Sequence, residues 1–342
     1  MIPSPLTQLS RESNPKGHGQ NPIPGVSPMD HGNPMPLTTG TFEELGIKQN
    51  ESMQKHTSFK VGGPADLFAQ PRSIETLKKI LGMAKAHELP LTLMGSGTNL
   101  LVKDKGIRGI VISMAHLKNP TIITPLHQGK YRIQVSAGTI LAGLYRETMV
   151  QGIGGMGFAA GIPGSLGGAM MMNAGTSGGT MSDVVESIDI IDLQKGIITL
   201  PKSSLKFSHR CLMFNDNYHR QQRPILVGAS LIMARQDKNK IKAHWQDLLE
   251  KRRLHQPSHG AGAGCFFKNP PQGKSAGELI DRAGLKGFKV GNAMVSSKHA
   301  NFILNVGQAT AQDIMALKNI IEKKVHIQFG ILLENEVKIE GE

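Results

Sequence analysis

Gly161-Ile162-Pro163-Gly164-Ser165-Leu166-Gly167-Gly168, followed by Met172-Asn173-Ala174-Gly175, is the stretch on which the reading of this chain turns. Glycine has no Cβ, so a loop this rich in it lets backbone N–H groups approach an anionic ligand such as a pyrophosphate. One such loop alone is usually only a turn. A second Gly/Ser loop, Gly95-Ser96-Gly97-Thr98-Asn99, follows the short apolar run from Leu91 to Met94, where a strand end presents its amides to a ligand. A third segment, His56-Thr57-Ser58-Phe59-Lys60-Val61-Gly62-Gly63-Pro64-Ala65-Asp66, opens the folded region. Three segments of this kind exceed what ordinary turns require and point to a phosphate-bearing ligand.

Downstream, Gly264-Cys265-Phe266-Phe267-Lys268-Asn269-Pro270 adds a candidate proton donor, Cys265, whose alternative is a buried cysteine that only packs. Arg210 ends Leu205-Lys206-Phe207-Ser208-His209-Arg210, and Glu336 lies in Leu333-Glu334-Asn335-Glu336-Val337-Lys338-Ile339. With the three loops, these segments resemble the UDP-N-acetylenolpyruvoylglucosamine reductase family over roughly residues 40 to 341. The resemblance implies an α+β protein: a two-part FAD-binding domain of the vanillyl-alcohol oxidase type and a C-terminal α+β substrate-binding domain. It implies non-covalent FAD, NADPH as co-substrate, and a UDP-sugar enolpyruvyl ether as substrate, reduced to UDP-N-acetylmuramate for peptidoglycan.

Residue by residue, the resemblance assigns the flavin to Thr57, Gly62, Gly95, Ser96, Gly97, Thr98, Asn99, Gly161, Ile162, Pro163, Gly164, Ser165, Gly168, Asn173 and Gly175. Cys265 stands where most relatives carry a serine proton donor. The change is chemically permissible, because a thiol is a far stronger acid than a serine hydroxyl. Arg210 matches the family's Tyr-Arg motif with His209 in place of the tyrosine, and its guanidinium can grip a carboxylate in bidentate fashion. Glu336 matches the family's Glu-Val-Arg strand and would share a proton as charge develops on that carboxylate. Glu334, two residues earlier, faces the same way if the stretch is a strand and is the competing carboxylate. Lys268, Asn269 and His299 are candidates for the substrate's diphosphate and uridine. Only 54 positions lie between Arg210 and Cys265, a spacing that looks like the shorter type lacking a tyrosine-bearing loop.

At 342 residues the chain can hold two or three domains with their own cores. Two cysteines against 17 methionines fit a reducing cytoplasm better than a disulfide framework. No run approaches the roughly 20 apolar residues that cross a bilayer, so no membrane partner is expected. The net charge of +13 is spread along the chain and aromatic residues make up only 4%, which argues against nucleic acid and suits phosphate-bearing small ligands. A monomer without a metal site is expected. An oxidase of the same flavin fold is the rival reading, although no motif for covalent flavin attachment is present.

Residues 1 to 35, rich in Pro, Gly, Asn and Ser, lack any apolar period and read as a disordered extension. The expected division beyond it is 36–105 and 106–236 for the two flavin-binding parts and 237–342 for the substrate-binding part. Ser73 caps a helix with Ile74, Leu77, Ile80, Leu81 and Ala84 on one face. Ser275 to Glu278 and Thr310 to Asp313 read as capping boxes, and Asn301 to Asn305 as a strand. Gly152-Ile153-Gly154-Gly155-Met156-Gly157 matches a dinucleotide fingerprint in spacing alone, since it follows a helical segment and not a strand.

Overall fold

Ser73 starts its helix as its hydroxyl predicts, accepting the N–H of Thr76 at 3.1 Å. In the computed structural model, which describes residues 37–176, 178–214 and 224–342, this helix belongs to a first α/β layer. The expected extension, residues 1 to 35, lies outside the described residues. The layer comprises α1 (Thr39–Leu45), β1 (Lys48–Ser52), β2 (Pro64–Ala69), α2 (Ile74–Ala86), β3 (Leu91–Met94), β4 (Leu100–Val102) and β5 (Ile107–Ser113). Its sheet runs β1-β2-β5-β3, with β5 parallel to both β2 and β3. Leu77, Ile80, Leu81 and Ala84 of α2 pack on Ala69, Ile110 and Ile112, so the helical apolar face and the strand period meet in one core. Residue 105 therefore falls inside this layer, just before β5, the strand that lies between β2 and β3.

The second layer is antiparallel. It contains β6 (Ile122–Pro125), β7 (Lys130–Ser136), α3 (Leu141–Val150), β8 (Ile153–Gly154), α4 (Leu166–Met171), β9 (Gly175–Thr176), β10 (Gly179–Thr180), α5 (Met181–Val184), β11 (Val185–Asp192), β12 (Gly196–Pro201), β13 (Leu205–Ser208), β14 (Cys211–Phe214) and β15 (Ile225–Arg235). The main sheet runs β12-β11-β15-β7-β6, with β8 also on β15. Buried Ile133, Leu141, Leu144, Met170, Ile188 and Leu231 fill the space between this sheet and α3 and α4.

The third layer follows α6 (Lys238–His255) and holds α7 (Ala276–Arg282), β16 (Lys289–Val290), β17 (Ala293–Val295), β18 (Ile303–Asn305), α8 (Ala311–Phe329) and β19 (Lys338–Glu340). β16, β17 and β18 form an antiparallel sheet covered by the buried Ile314, Leu317, Ile321 and Val325 of α8. Thr310 and Asp313 form the full capping box expected of α8. Ser275 gives only half of one: its hydroxyl accepts the Glu278 N–H at 3.2 Å, while the Glu278 carboxylate pairs forward with Arg282 at 3.1 Å. The strand expected from Asn301 begins two residues later, because the Phe302 N–H closes a turn on the His299 carbonyl and the Asn301 carbonyl accepts from Phe266.

The chain end returns to the first layer. β19 lies parallel to β4, and Phe59, Val61 and Leu101 share a core with the third layer's residues. Asp104, just after β4, accepts the N–H groups of Ala311 and Gln312 at 2.8 Å each, tying the start of α8 to the same corner. This crossing places the C-terminal carboxylates beside the Gly95 to Asn99 loop.

Candidate active site

The three Gly/Ser segments meet. Gly95 packs so closely on the 161–168 loop that a Cβ there would lie 2.6 Å from Ser165 Oγ, and one on Gly164 would lie 2.7 Å from Thr98 Oγ1. The Ser58 N–H donates to the Gly97 carbonyl at 3.0 Å, which brings in the third segment. Gly97 has φ +68, and a side chain there would run into the His56 carbonyl. Each segment also aims a buried hydroxyl at no partner among the described residues: Ser58, Ser96 and Ser165. Buried hydroxyls are normally hydrogen-bonded, so three orphans at one junction mark a place for ligand oxygens.

Other residues assigned to the flavin are used within the protein. Thr57 donates its hydroxyl to the Val61 carbonyl at 2.9 Å, locking the turn. Gly62, with φ +125, leaves room for Val102, whose Cβ would be 2.7 Å from an added Cβ. Asn99 donates to the backbone oxygen of Glu336 at 3.0 Å. Buried Asn173 donates to the Ser208 carbonyl at 3.1 Å and accepts from the Ser182 N–H at 3.0 Å, holding the β13–β14 hairpin against α5. Ile162 packs against the second core, Pro163 offers its carbonyl to Thr98, and Gly168 flanks Ser165.

Arg210 sits at the tip of the β13–β14 hairpin with φ +58, a left-handed conformation that costs a residue with a Cβ on the order of 1–2 kcal/mol. Its Nη1 donates to the Gly175 carbonyl at 3.0 Å, and its Nε lies 3.0 Å from Glu336 Oε1. That second contact is an ion pair without hydrogen-bond alignment, since Nε is buried with no aligned acceptor. Burial pushes the Glu336 carboxyl up, against the opposing charges of Arg210, His209 and Lys268. Glu334 is solvent-exposed and pairs with Lys268 at 3.3 Å, so only Glu336 faces the arginine. The regular strand is confined to Lys338–Glu340, and Glu336 lies in the bend before it.

Cys265 is set beside Glu336 by main-chain pairing. The Phe266 carbonyl accepts the Glu336 N–H at 2.8 Å, Phe267 bridges Asn335, and the Lys268 N–H donates to Glu334. Phe266 and Phe267 anchor the segment in the core, their rings 5.1 Å apart. Burial pushes the Cys265 thiol up to about 11, with the Glu336 charge adding to the effect and Arg210, Arg252 and the Asn301 amide opposing it. The thiol is therefore protonated at neutral pH.

Each of the three expected substrate contacts has a partner within the protein. Lys268 pairs with Glu334, Asn269 accepts the Ala276 N–H at 3.0 Å at the start of α7, and His299 accepts the Asn301 N–H at 3.3 Å. His299 is also stacked edge-on against Phe302 and held below the usual histidine range, chiefly by burial. Two residues of the site carried no sequence signal. Asn301 clamps Phe267 from both sides, and Arg252, one of three consecutive basic residues in α6, reaches the 161–168 loop.

A family model described as an FAD binding domain matches residues 65–200, and one described as the UDP-N-acetylenolpyruvoylglucosamine reductase C-terminal domain matches residues 256–340. Fold and cradle thus define a flavoprotein oxidoreductase: an FAD-binding domain followed by an α+β domain. The UDP-N-acetylenolpyruvoylglucosamine reductase of Desulfosudis oleivorans is 42% identical over 316 residues, 92% of this chain and 100% of that protein. The one from Clostridioides difficile is 40% identical over 86% of this chain and 94% of that protein. The crystal structure of the Thermus caldophilus reductase superposes with a TM-score of 0.69 at 32% identity, covering 86% of this chain and all of that one. This chain belongs to the UDP-N-acetylenolpyruvoylglucosamine reductase family.

Proposed function

We propose that this chain reduces the enolpyruvyl group of UDP-N-acetyl-3-O-(1-carboxyvinyl)-glucosamine to give UDP-N-acetylmuramate, with non-covalent FAD and NADPH as the reductant. The observation that carries this reading is the convergence of Arg210, Glu336 and Cys265 beside a cradle with three orphaned hydroxyls. Ser58, Ser96 and Ser165 would hold the flavin diphosphate, with the backbone of Gly95, Gly97 and Gly164 leaving it room. Bound flavin supplies the hydride chemistry.

The protein's own residues do the rest. Hydride addition at the terminal carbon of the substrate moves negative charge through the neighbouring carbon onto the carboxylate. Arg210, anchored by Gly175 and Glu336, stabilises that charge where it develops. Cys265 then gives its proton to the carbon next to the carboxylate, the S–H bond breaking as the C–H bond forms, and the thiolate recovers a proton from solvent. Glu336, raised by burial, shares a proton with the enolate-like oxygen.

The reading assigns flavin binding to the first two layers, up to residue 236, and the substrate to residues 237–342. It includes a cytoplasmic monomer with no membrane or nucleic-acid partner. Among the described residues no helix is long and apolar enough to cross a membrane. The test is spectroscopic. The purified protein should be yellow, bleach with NADPH, and regain its colour anaerobically when the enolpyruvyl UDP-sugar is added. Protein that stays bleached with that sugar and recovers only with oxygen is an oxidase, and the proposal fails.

A further inference from the structure

Arg252 stands in the last turn of α6, where a cation is usually a solvated partner of the helix dipole. Its neighbours Arg253 and His255 behave that way and are exposed. Arg252 does not. Its side chain is half-buried, and among the described residues it makes no hydrogen bond or ion pair. It lies across Gly161: a Cβ on that glycine would be 2.9 Å from Arg252 Cδ and 3.5 Å from Nη1. Gly161 is at φ +70, so the missing side chain there both permits the turn and clears a path for the guanidinium.

A guanidinium withdrawn from water without a counter-ion is costly, and the cost is recovered when an anion binds. Burial holds Arg252 below the usual guanidinium range, Arg210 repels it, and the Cys265 thiolate would favour it. The loop that Arg252 covers meets Thr98 at Gly164, and the next residue, Asn99, holds the backbone of Glu336, the partner of Arg210, so both guanidinium groups border the cradle. Arg210 already has the Glu336 carboxylate. Arg252 has none.

We propose that Arg252 is a substrate-binding residue, the second guanidinium that grips the substrate's carboxylate, opposite Arg210 and next to the carbon that Cys265 protonates. This rests on the function proposed above. The carboxylate is the favoured anion because it is bonded to the carbon that must face Cys265, whereas the diphosphate lies at the far end of the sugar. A guanidinium there stabilises the negative charge that gathers on the carboxylate as the enolate-like state forms.

The test uses the FAD-loaded protein and the variants Arg252→Met and Arg252→Lys. In calorimetric titration, Arg252→Met should bind UDP-N-acetylmuramate about 10- to 100-fold more weakly than wild type, the size of a lost hydrogen bond to a charged group. Binding of UDP-N-acetylglucosamine, which has the diphosphate but no carboxylate, should be unchanged. Anaerobic flavin reoxidation by the enolpyruvyl sugar should slow by about 10²–10³-fold, with Arg252→Lys in between. Equal weakening of both nucleotides would assign Arg252 to the diphosphate and overturn the proposal. Loss of FAD from both variants would assign it to the loop at Gly161, with the same result. Product binding that Arg252→Met leaves intact overturns this proposal alone. Failure of wild type to bind product or turn over overturns it together with the reading on which it rests.

Discussion

The guanidinium Nε of Arg210 lies 3.0 Å from Oε1 of Glu336, joining the tip of a hairpin in the second layer to the bend before the last strand. Both side chains are more than two-thirds shielded from water, at 26% and 18% exposure, so removing either leaves a partly desolvated charge alone. Glu336→Gln and Arg210→Met should each lower kcat/KM by on the order of 10²-fold, and the double variant should be little worse than the worse single. Stopped-flow rates of flavin reoxidation for the four proteins test this. Losses that multiply would mean that the two groups act independently.

Cys265→Ala should leave reduction of the flavin by NADPH near the wild-type rate, because that half-reaction needs no proton from the thiol. Reoxidation by the enolpyruvyl sugar should slow by about 10²–10⁴-fold. Cys265→Ser should retain much more activity than Cys265→Ala. In D₂O the product should carry one deuteron at the carbon next to the carboxylate. Equal reoxidation rates in wild type and Cys265→Ala would show that the thiol only packs.

The raised Cys265 thiol also makes stability depend on alkaline pH. Its ordinary value of 9.0 rises to about 11 in the fold, so between these values the folded state holds a proton that the unfolded state has lost. The associated stability is fully present below pH 9.0 and is lost as pH rises through about 11. In flavin-free protein, the wild-type melting temperature should fall more steeply over this range than that of Cys265→Ser. Parallel curves would refute the shift.

Asn301 is 2% exposed and completes two hydrogen bonds with the Phe267 backbone, of 3.0 and 2.8 Å. Asn301→Leu would strand a buried N–H and a buried carbonyl, at about 1–3 kcal/mol each. Urea unfolding should show a loss of about 2–6 kcal/mol. The donor segment should loosen with it, so reoxidation slows while NADPH reduction of the flavin does not. An unchanged midpoint would mean that water replaces the amide without cost.

Two glycines should respond with opposite sign to alanine. Gly97 at φ +68 faces the His56 backbone, so Gly97→Ala should strip FAD from the protein and lower its melting temperature. Gly82, in α2 with open space where a Cβ would go, should gain about 0.5–1 kcal/mol as alanine. Bound-flavin absorbance and thermal melts of both variants provide the check. Full flavin content in Gly97→Ala would remove that loop from the cradle.

What the sequence determined by itself is what short stretches of chain encode. Glycine at positive φ, Ser73 and Thr310 at helix starts, and the apolar period of α2 and α8 depend on neighbours a few residues away, and these were legible with the cradle loops and the donor segment. Partnership between side chains was decided only by the tertiary structure. Thr57 locks a turn through the Val61 carbonyl, and Gly62 makes room for Val102, contacts that their motif did not announce. Asn269 and His299 each accept one backbone N–H, of Ala276 and Asn301, which fixes where they stand. Arg252 is one of three consecutive basic residues in α6, and only the packing of that helix on Gly161 sets it apart. Glu336 was separated from Glu334, and joined to Arg210, by the pairing of Phe266 with Glu336 and of β19 with β4. Such long-range pairing is set by how whole layers pack, and no short window of sequence contains it.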